Sequence, residues 1–300
     1  MLHRTKNYSV TSTKPKLAFA FMVHSEETVQ GVIEMMEVLY PSDHCFLVHF
    51  DKKTPAQSIA TLTKKYPVLL MAKQFDIEWG KFSMIEAELE LLQVSQQCEY
   101  DHILFLDGKT FPMKGLFEIE LQFQSIPKKS SIVFSTDPSY GTNIPTCLEN
   151  SPTHHACART RAKCINDDCT QYSSTPNHAP LFKGPQWTIL SSLFVNHMLN
   201  ETEWLQDWKY FFTDTTMPDE SFFQSVLMDS KFNKDIYLFK EDWLKVVWKD
   251  CKTHFDQRSK KGYSPCTLGV KDCVPHLLDS NAAFVRKINP GDQLKSLLME

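Results

Sequence analysis

Short apolar runs alternate with segments of helical periodicity over residues 17–140. Four of the runs are continuous enough to be buried strands: residues 17–23 (LAFAFMV), 45–50 (CFLVHF), 68–72 and 102–106 (HILFL). Three segments repeat apolar side chains at helical spacing, which predicts amphipathic helices: residues 26–39, 56–65 and 82–94. This alternation is typical of βαβ units, so the sequence predicts an α/β fold with a mostly parallel sheet flanked by helices.

The pattern is less regular in the rest of the chain. Residues 138–180 are rich in Pro, Thr, Asn and Cys and contain few apolar runs, which predicts a long irregular insert. A strand is predicted at residues 131–135, and helices are predicted at residues 116–123, 191–199, 218–228 and 274–278. Residues 1–16 are polar and basic, so we expect a flexible tail before the first strand.

Composition narrows the class of protein. With 42% hydrophobic and 23% charged residues, the chain has the composition of a folded globular protein. The formal net charge of −4 disfavours nucleic acid as a partner, because phosphate binding relies on clustered Lys and Arg. The longest clean apolar run, residues 17–23, is far shorter than the roughly 20 residues that a membrane-spanning helix needs. We therefore expect no transmembrane segment in this chain, although the lumenal part of an anchored protein would have the same pattern.

The chain has nine cysteines, a high number for a cytosolic enzyme, and an odd number leaves at least one thiol unpaired. N-glycosylation triplets at residues 7–9 and 200–202 also favour the secretory pathway. The insert contains a cluster of cysteines with two histidines between them: Cys147, His154, His155, Cys157, Cys164 and Cys169. Because no C-x-x-C pair occurs there, the spacing favours disulfides over a structural zinc site, and free buried thiols are the third interpretation.

Glu220 lies in the segment TTMPDESFF, which has the features of a helix start, with Thr216 as N-cap and Pro218 in the first turn. Acidic residues are common at such positions because they face the positive end of the helix dipole. A carboxylate at a helix start beside a cleft can also serve as a general base. The spacing alone leaves both interpretations open.

Two tryptophans and a pair of cations are further candidates for ligand contacts. Trp79 is followed by Gly80, and Trp187 comes three residues after Gly184, in loop-like segments where an indole face can stack on a sugar; a half-buried core tryptophan is the alternative. Arg286 and Lys287 follow an apolar pair near the end of the chain. Adjacent cations in such a segment suit a diphosphate, and a solvated charge pair is the alternative.

Common motifs for phosphate and metal binding are missing from the sequence. It has neither a P-loop nor a Gly-rich dinucleotide fingerprint, and it contains no Asp-x-Asp triplet. That triplet commonly holds Mn²⁺ against a nucleotide diphosphate, so a diphosphate bound here would need side-chain cations instead. We therefore expect no metal ligands and no divalent metal as cofactor.

Eight segments occur in an order that resembles the Core-2/I-branching β-1,6-N-acetylglucosaminyltransferase and peptide O-xylosyltransferase family, glycosyltransferase family 14. They are LAFAFMVHS, CFLVHFDKK, WGKFSMIEAELELL, HILFLDGKTFPMKG, KGPQWTILSSLFV, PDESFFQSVL, SPCTL and NAAFVRKI. The resemblance implies a single GT-A-like domain over residues 17–300 with a Rossmann-like sheet. Residues 17–140 would be its nucleotide-binding half, and residues 141–300 its acceptor and catalytic half.

The resemblance also implies roles for individual residues. Glu220 would be the base that takes the proton of the acceptor hydroxyl. The implied nucleotide contacts are Val23, His24 and Asp51 for the uridine, and Arg286 and Lys287 for the diphosphate. The implied contacts to the donor or acceptor sugar are Trp79, Gly108, Gln186 and Trp187. Thr110 stands where many relatives have an acidic residue, which leaves the donor sugar open.

The activity implied by the resemblance is inverting transfer of a sugar from a UDP donor to a glycan or protein hydroxyl. N-acetylglucosamine in β-1,6 linkage is expected first, and UDP-xylose or UDP-glucuronate is the alternative donor. A relative that kept the fold as a glycan-binding protein without catalysis is a further alternative. The expected location is the Golgi or secretory lumen, as an ectodomain or an anchorless relative, with the cytoplasm as the alternative.

Overall fold

The computed structural model of the chain describes residues 14–133, 175–176, 179, 181–213, 215, 217–237, 243–248, 264–269 and 280–292. The predicted tail up to residue 13, most of the predicted insert and the helix predicted at residues 274–278 lie outside these residues. The same holds for Cys147, Cys157, Cys164 and Cys169. Their predicted structures therefore stay predictions. The prediction of Thr216 as N-cap is wrong, because Met217 is the N-cap residue of the 3-10 helix at Pro218–Glu220.

A five-stranded sheet forms the centre of the described fold. Its strands are β1 (Leu17–Val23), β2 (Cys45–Phe50), β3 (Leu69–Leu70), β4 (His102–Asp107) and β6 (Ile189–Ser191), in the order β3-β2-β1-β4-β6. β1 pairs in parallel with β2 and β4, and β2 with β3, whereas β6 runs antiparallel to β4. Every residue of β1 and β4 is buried, as expected for strands covered on both faces. The predicted α/β fold with a mostly parallel sheet is thus confirmed.

The helices of the described residues lie close to their predicted positions, with two exceptions. They are α1 (Glu26–Leu39), α2 (Ala56–Lys65), α3 (Ser83–Ser95), α4 (Leu116–Gln124), α5 (Ser192–Asn200), α6 (Thr202–Thr213) and α7 (Phe222–Met228). The sequence prediction does not include α6. The single helix predicted at residues 218–228 is wrong in its first turn, because Pro218–Glu220 form a 3-10 helix and the non-helical backbone of Ser221 separates it from α7.

A second sheet places the last described strand of the chain next to the central sheet. Its described strands are β5 (Thr110–Pro112), β7 (Leu244–Val246) and β8 (Phe284–Arg286), in the order β5-β8-β7. β5 follows shortly after β4 and pairs antiparallel with β8, so that Thr110 lies opposite Arg286. This pairing places Arg286 and Lys287 next to the carboxyl end of β4.

The segment predicted as a strand at residues 131–135 does not form one in its described part, residues 131–133. Ser131 makes an isolated bridge with Ile236, and Ile132 makes one with Ile189. The two residues bridge different partners, so no continuous ladder forms.

Helix α1 packs unusually close to the turn that follows β4. The helix begins with a capping box, in which the hydroxyl of Ser25 accepts from the N–H of Thr28 and the hydroxyl of Thr28 accepts from the N–H of Ser25. A Cβ atom on Gly31 would overlap the carbonyl oxygen of Gly108, and one on Gly108 would overlap the carbonyl oxygen of Thr28. Glycine is therefore required at both positions, because only residues without a side chain let the turn approach α1 this closely.

The described cysteines are oxidised. Cys45, at the start of β2, forms a disulfide with Cys98, which follows α3, and Cys266 is also disulfide-bonded. The Cys45–Cys98 bond ties the first residue of a central strand to the helix that packs on the sheet. Oxidised cysteines are typical of proteins that fold in an oxidising compartment.

Candidate active site

The carboxyl ends of the parallel strands form one edge of the central sheet. The strand order reverses between β1 and β4, and ligands of open α/β sheets bind in the crevice at such a point. Val23 ends β1, Asp51 follows β2 directly, and Asp107 ends β4. Val23 and Asp51 are predicted site residues, whereas Asp107 is not.

Asp51 is buried and bonded to the protein through both carboxylate oxygens. Its Oδ1 accepts from the backbone N–H of Lys53 at 2.7 Å, and its Oδ2 accepts from the N–H of Ile77 at 2.9 Å. The N–H of Asp51 donates to the carbonyl oxygen of Val23 at 2.8 Å. Asp51 therefore holds the loop after β2 against β1, and its contact with a uridine stays a prediction.

Arg286 is surrounded by three residues from distant parts of the chain. Its Nε and Nη2 donate to Oδ2 of Asp107 at 3.0 and 2.8 Å, and the hydroxyl of Thr110 donates to Oδ1 of the same carboxylate at 2.8 Å. The guanidinium carbon lies 4.6 Å from the centroid of the Trp187 ring. We call Asp107, Thr110, Trp187 and Arg286 the Arg286 cluster. A planar cation suits both a carboxylate and an aromatic face, which explains the arrangement.

The charge state of Asp107 follows from this pairing. Burial alone would raise the pKa of Asp107. The charge and hydrogen bonds of Arg286, together with the hydrogen bonds from Thr110 and the N–H of Lys109, outweigh burial and hold the pKa below its ordinary value. Asp107 is thus an anion at neutral pH and balances the charge of Arg286. Lys287, the second predicted diphosphate ligand, donates from Nζ to Oγ of Ser264 at 2.7 Å.

Glu220 ends a strained turn. Met217, directly before the 3-10 helix, has a φ of 57°, a left-handed conformation that residues with side chains rarely adopt. The N–H of Met217 donates to the carbonyl oxygen of Gly80 at 3.0 Å, and Gly80 itself has a φ of 72°. The turn that presents Glu220 is therefore fixed against the loop that contains Trp79.

The carboxylate of Glu220 pairs with Lys183. Nζ of Lys183 lies 2.7 Å from Oε2 of Glu220, and the two side chains are 28% and 26% exposed, so both reach the surface. The N–H of Gly184 also donates to the carbonyl oxygen of Glu220 at 2.9 Å. A carboxylate that is fixed in position yet open to solvent can take up a proton from a bound hydroxyl.

Asp219, the neighbour of Glu220, is in a different environment. Its side chain is buried, and its Oδ1 has no hydrogen-bond partner among the described residues. Burial, followed by the charge of Glu220, raises the pKa of Asp219 to about 7. The two consecutive residues thus lie in different environments, a buried Asp219 with a raised pKa and a Glu220 side chain that reaches the surface.

A second buried acid holds Gln186. Glu88 of α3 is fully buried, and Nε2 of Gln186 donates to its Oε1 at 3.1 Å. Burial raises the pKa of Glu88 well above its ordinary value, and its Oε2 has no partner among the described residues. Gln186 is therefore anchored to α3, and its predicted contact with a sugar stays a prediction.

Residues 182–187, which we call the brace segment, connect Glu220 with the Arg286 cluster. Two hydrogen bonds of 2.9 Å tie the segment to α7, from the N–H of Phe182 to Oγ of Ser225 and from Nε2 of Gln224 to the carbonyl oxygen of Pro185. Lys183 reaches Glu220, and Trp187 stacks on Arg286. Lys183 and Trp187 are only four residues apart, and consecutive Cα atoms are about 3.8 Å apart. Glu220 and the Arg286 cluster therefore lie in the same region of the molecule.

The remaining predicted site residues lie around this region. Trp79 is 70% exposed and is followed by Gly80, which bonds to the Glu220 turn. His24 is exposed at the end of β1, and its N–H donates to Oγ1 of Thr28 at 3.1 Å. Gly108 packs against Thr28 of α1. Trp187 is 9% exposed and packs in the hydrophobic core, as its alternative interpretation predicts. The predicted sugar contacts of Trp79, Trp187 and Gly108, and the predicted uridine contact of His24, stay predictions.

Three residues of this region are absent from the sequence prediction. Asp107 could have been found, because it is an acidic residue at the carboxyl end of a predicted buried strand. Lys183 and Glu88 carry no such signal, since their contacts join segments that are far apart in the sequence.

The described residues form neither a metal-binding cluster nor a membrane-spanning helix. Within the described residues, no group of three or more His, Cys, Asp or Glu side chains is arranged to hold a metal ion. None of the helices described is long and apolar enough to cross a membrane. The cysteine cluster considered for zinc lies outside the part of the chain that the structure describes.

Comparison with known families decides the assignment. The family model described as "Core-2/I-Branching enzyme" matches residues 17–280. This chain belongs to the Core-2/I-branching enzyme family. The family resemblance is thereby confirmed. The matched range includes Glu220, Lys183 and Asp107, whereas the segment NAAFVRKI with Arg286 and Lys287 lies beyond it.

Several curated proteins are similar to this Core-2/I-branching enzyme. A mouse protein named beta-1,3-galactosyl-O-glycosyl-glycoprotein beta-1,6-N-acetylglucosaminyltransferase 4 is 21% identical over 220 residues, which cover 70% of this chain and 46% of that protein. The xylosyltransferase oxt of Drosophila pseudoobscura pseudoobscura is 24% identical over 229 residues, covering 72% and 24% of the two chains. A bovine herpesvirus 4 protein with the same transferase name as the mouse protein, without its number, is 24% identical, covering 68% and 45%. The match therefore spans less than half of the length of these relatives.

Among solved structures, the apo structure of the bifunctional glycosyltransferase WbbM is similar to this chain. The two superpose with a TM-score of 0.46 at 10% sequence identity, over 94% of this chain and 48% of WbbM.

Proposed function

We propose that this Core-2/I-branching enzyme transfers a sugar from a UDP donor to a hydroxyl group of a glycan or glycoprotein, with inversion at the anomeric carbon. N-acetylglucosamine in β-1,6 linkage is our first choice. The observation that carries the proposal is the position of Glu220, whose carboxylate is open to solvent, held by Lys183 and linked to the Arg286 cluster by the brace segment. A displacement of this kind needs a base on one side and stabilisation of the leaving group on the other.

Glu220 accepts the proton of the acceptor hydroxyl in the proposed reaction, while that oxygen forms a bond to the anomeric carbon. The bond from the anomeric carbon to the β-phosphate oxygen breaks on the opposite face, and its electron pair leaves with UDP. The products are the glycosylated acceptor, UDP and a protonated Glu220. Inversion of an α-linked donor gives a β linkage, in agreement with the names of two of the relatives.

Arg286 and Lys287 stabilise the leaving UDP in this proposal. Arg286 uses two of its five N–H donors for Asp107, which leaves three that can bind phosphate. Lys287, the next residue, adds a second cation. These side chains would supply the positive charge that Mn²⁺ supplies in sites with an Asp-x-Asp triplet, so we propose that no divalent metal is required.

The two substrates would meet at the carboxyl edge of the central sheet. Val23, His24 and Asp51 lie at the ends of β1 and β2 and are the proposed contacts of the uridine. Trp79 is the proposed platform for the acceptor, because its side chain is 70% exposed and its loop is bonded to the Glu220 turn. Gln186, Trp187 and Gly108 are the proposed surroundings of the transferred sugar.

The alternative functions differ from this proposal in the donor sugar or in the lack of catalysis. The similarity to a xylosyltransferase makes UDP-xylose the second donor to test, and UDP-glucuronate is the third. The ion pair of Asp107 with Arg286 favours a different alternative, a glycan-binding relative without turnover, because Asp107 balances the charge that a diphosphate would otherwise meet.

We also propose a location in the Golgi or secretory lumen. The disulfide between Cys45 and Cys98 supports an oxidising compartment, and Asn200 of the N-glycosylation triplet is exposed. An Asn200→Gln variant that migrates faster than the original protein from secretory cells would support glycosylation there. Identical migration of both would contradict it.

Titration calorimetry with UDP-N-acetylglucosamine in excess EDTA tests the nucleotide site first, with UDP-xylose and UDP-glucuronate in parallel. Binding in EDTA supports the side-chain site for the diphosphate, whereas binding that needs Mn²⁺ contradicts the metal-free proposal. Transfer is then measured with galactosyl-β-1,3-N-acetylgalactosamine p-nitrophenyl glycoside as acceptor.

Glu220→Gln is the decisive variant for the base. We expect its turnover to fall by about 10²- to 10⁴-fold, the range for loss of a general base, while UDP binding stays unchanged. Donor binding without turnover by the unmodified protein, across all three donors, would favour the glycan-binding alternative.

A further inference from the structure

We propose that Lys183 is a positioning residue, which holds Oε2 of Glu220 so that Oε1 meets the acceptor hydroxyl. This inference rests on the proposed role of Glu220 as the base. No residue role implied by the family resemblance includes Lys183. It is therefore a prediction about this chain that the structure alone suggests.

The contact between the two side chains has the geometry of a charge-assisted hydrogen bond. Nζ of Lys183 lies 2.7 Å from Oε2 of Glu220. Among the described residues, no partner of Oε1 is found. One oxygen of the carboxylate is thus engaged by the protein and the other is left for a ligand.

The backbones of the two residues are also joined. The N–H of Gly184 donates to the carbonyl oxygen of Glu220 at 2.9 Å. A Cβ atom on Gly184 would overlap the carbonyl oxygen of Val133, so the brace segment approaches its neighbours closely at this point. Lys183 therefore extends from a fixed backbone that lies next to the base. A glutamate side chain without such a partner would rotate among several rotamers, and only some of them would present an oxygen to the acceptor.

The pair differs from the surface ion pairs of the same protein. Lys183 and Glu220 are 28% and 26% exposed, whereas Lys53 and Asp76, at a similar separation of 2.6 Å, are 52% and 66% exposed. Solvent and salt screen a partly buried pair less than an exposed one. The charge of Lys183 also acts on Asp219, where it opposes the effects of burial and of Glu220 on the pKa. Lys183 is thus the cation that faces both carboxyl groups of this turn.

Two substitutions of Lys183, each in two backgrounds, test the proposal. Lys183→Met and Lys183→Arg are made in the original protein and in Glu220→Gln, and Lys64→Met is the matched control, since Lys64 is an exposed lysine of α2. UDP release from UDP-N-acetylglucosamine with the galactosyl-β-1,3-N-acetylgalactosamine acceptor gives kcat and both KM values. Thermal unfolding and UDP titration check that each variant is folded. Lys183→Gln replaces Lys183→Met if the latter does not fold.

We expect Lys183→Met to lower kcat by about 10- to 100-fold, the size of effect that a misplaced reacting group produces, with the donor KM unchanged. Lys183→Arg should restore most of the loss, because a guanidinium also donates to a carboxylate. In the Glu220→Gln background, Lys183→Met should have no further effect, because the carboxylate that it positions is gone. Lys64→Met should behave as the original protein.

Three results would overturn the inference. An unchanged kcat of Lys183→Met would show that the ion pair is not needed. An equal loss in both backgrounds would mean that Lys183 acts on the acceptor directly and not through Glu220. Full activity of Glu220→Gln would overturn the proposed function itself, and the Lys183 inference with it, so the two failures are distinguishable.

Discussion

Asp107 and Arg286 are 179 residues apart in the sequence and are joined by two hydrogen bonds of 3.0 and 2.8 Å. The pair links the end of β4 to the end of β8, across two different sheets. Both side chains are mostly buried, so the loss of one leaves an uncompensated charge in a poorly solvated place. Strand β8 and the candidate site are therefore stabilised by the same interaction.

Replacing Asp107 should destabilise the fold. We expect Asp107→Ala to lower the free energy of unfolding by about 3 kcal/mol, because Arg286 would be left buried without its anion. Chemical denaturation at neutral pH measures this change. Asp76→Asn is the matched control, since it breaks an exposed ion pair with Lys53, and we expect a loss below about 1 kcal/mol. Equal losses in the two variants would contradict a buried, energetically important pair.

The same pair predicts a dependence of stability on pH. The pKa of Asp107 is lowered in the folded state, so its contribution is fully present above the unfolded pKa of about 3.9 and is lost as the pH falls through the folded value. The difference in unfolding free energy between the original protein and Asp107→Asn should therefore shrink as the pH is lowered below about 4. A difference that does not change with pH would contradict a charged Asp107.

Asp219 predicts a pH dependence of the opposite sign. Its pKa is raised to about 7, so the folded protein keeps a proton that the unfolded chain loses above a pH of about 4. The original protein should therefore lose stability as the pH rises from about 4 to about 7, by up to roughly 1.4 kcal/mol for each unit of the shift. Asp219→Asn lacks this titration. Its stability relative to the original protein should rise over that range and become constant above pH 7.

Denaturation of the original protein and Asp219→Asn at a series of pH values between 4 and 8 tests this prediction. The charge of Asp219 also contributes to the raised pKa of Glu88, so the same comparison is made in a Glu88→Gln background, where only Asp219 differs in its titration. A stability difference that is flat across the series would show that the pKa of Asp219 is not raised in the folded protein.

The sequence predicts the central sheet well because burial there is complete. β1 and β4 are continuous apolar runs with every residue buried, and helices α1 and α2 have the predicted bounds. Helix α6 also has a periodic signal in the sequence, since its buried residues Leu205, Trp208, Phe211 and Phe212 follow helical spacing.

The candidate site could be predicted only in part, for a physical reason. Single residues such as Glu220 and Arg286 stand in recognisable motifs, but their partners are set by tertiary packing. β5 and β8 have three residues each, too few to show a periodicity, yet their pairing places Thr110 opposite Arg286. The contact of Lys183 with Glu220 likewise depends on the path of the brace segment along α7 and not on any local pattern.

The close packing of α1 on the turn after β4 can be tested with a single methyl group. Gly31→Ala would place a Cβ atom in the position of the carbonyl oxygen of Gly108, so backbone must move. We expect a loss of about 1 to 3 kcal/mol of unfolding free energy, the usual cost of overpacking. Gly115→Ala is the control, because the nearest atom to its Cβ would be Oε2 of Glu118 at 3.8 Å. Similar unfolding curves for the two variants would contradict the close approach.

A substitution of Trp79 should change acceptor binding without changing the rest of the site. Its side chain is 70% exposed, so Trp79→Ala should leave thermal stability and UDP affinity unchanged. The acceptor KM should rise by about 2- to 10-fold, as expected for the loss of one stacking contact worth about 0.5 to 1.5 kcal/mol. Tyr210→Ala is the control, because Tyr210 is a similarly exposed aromatic residue, 78% exposed on α6. An unchanged acceptor KM in Trp79→Ala, or an equal rise in both variants, would remove Trp79 from the acceptor site.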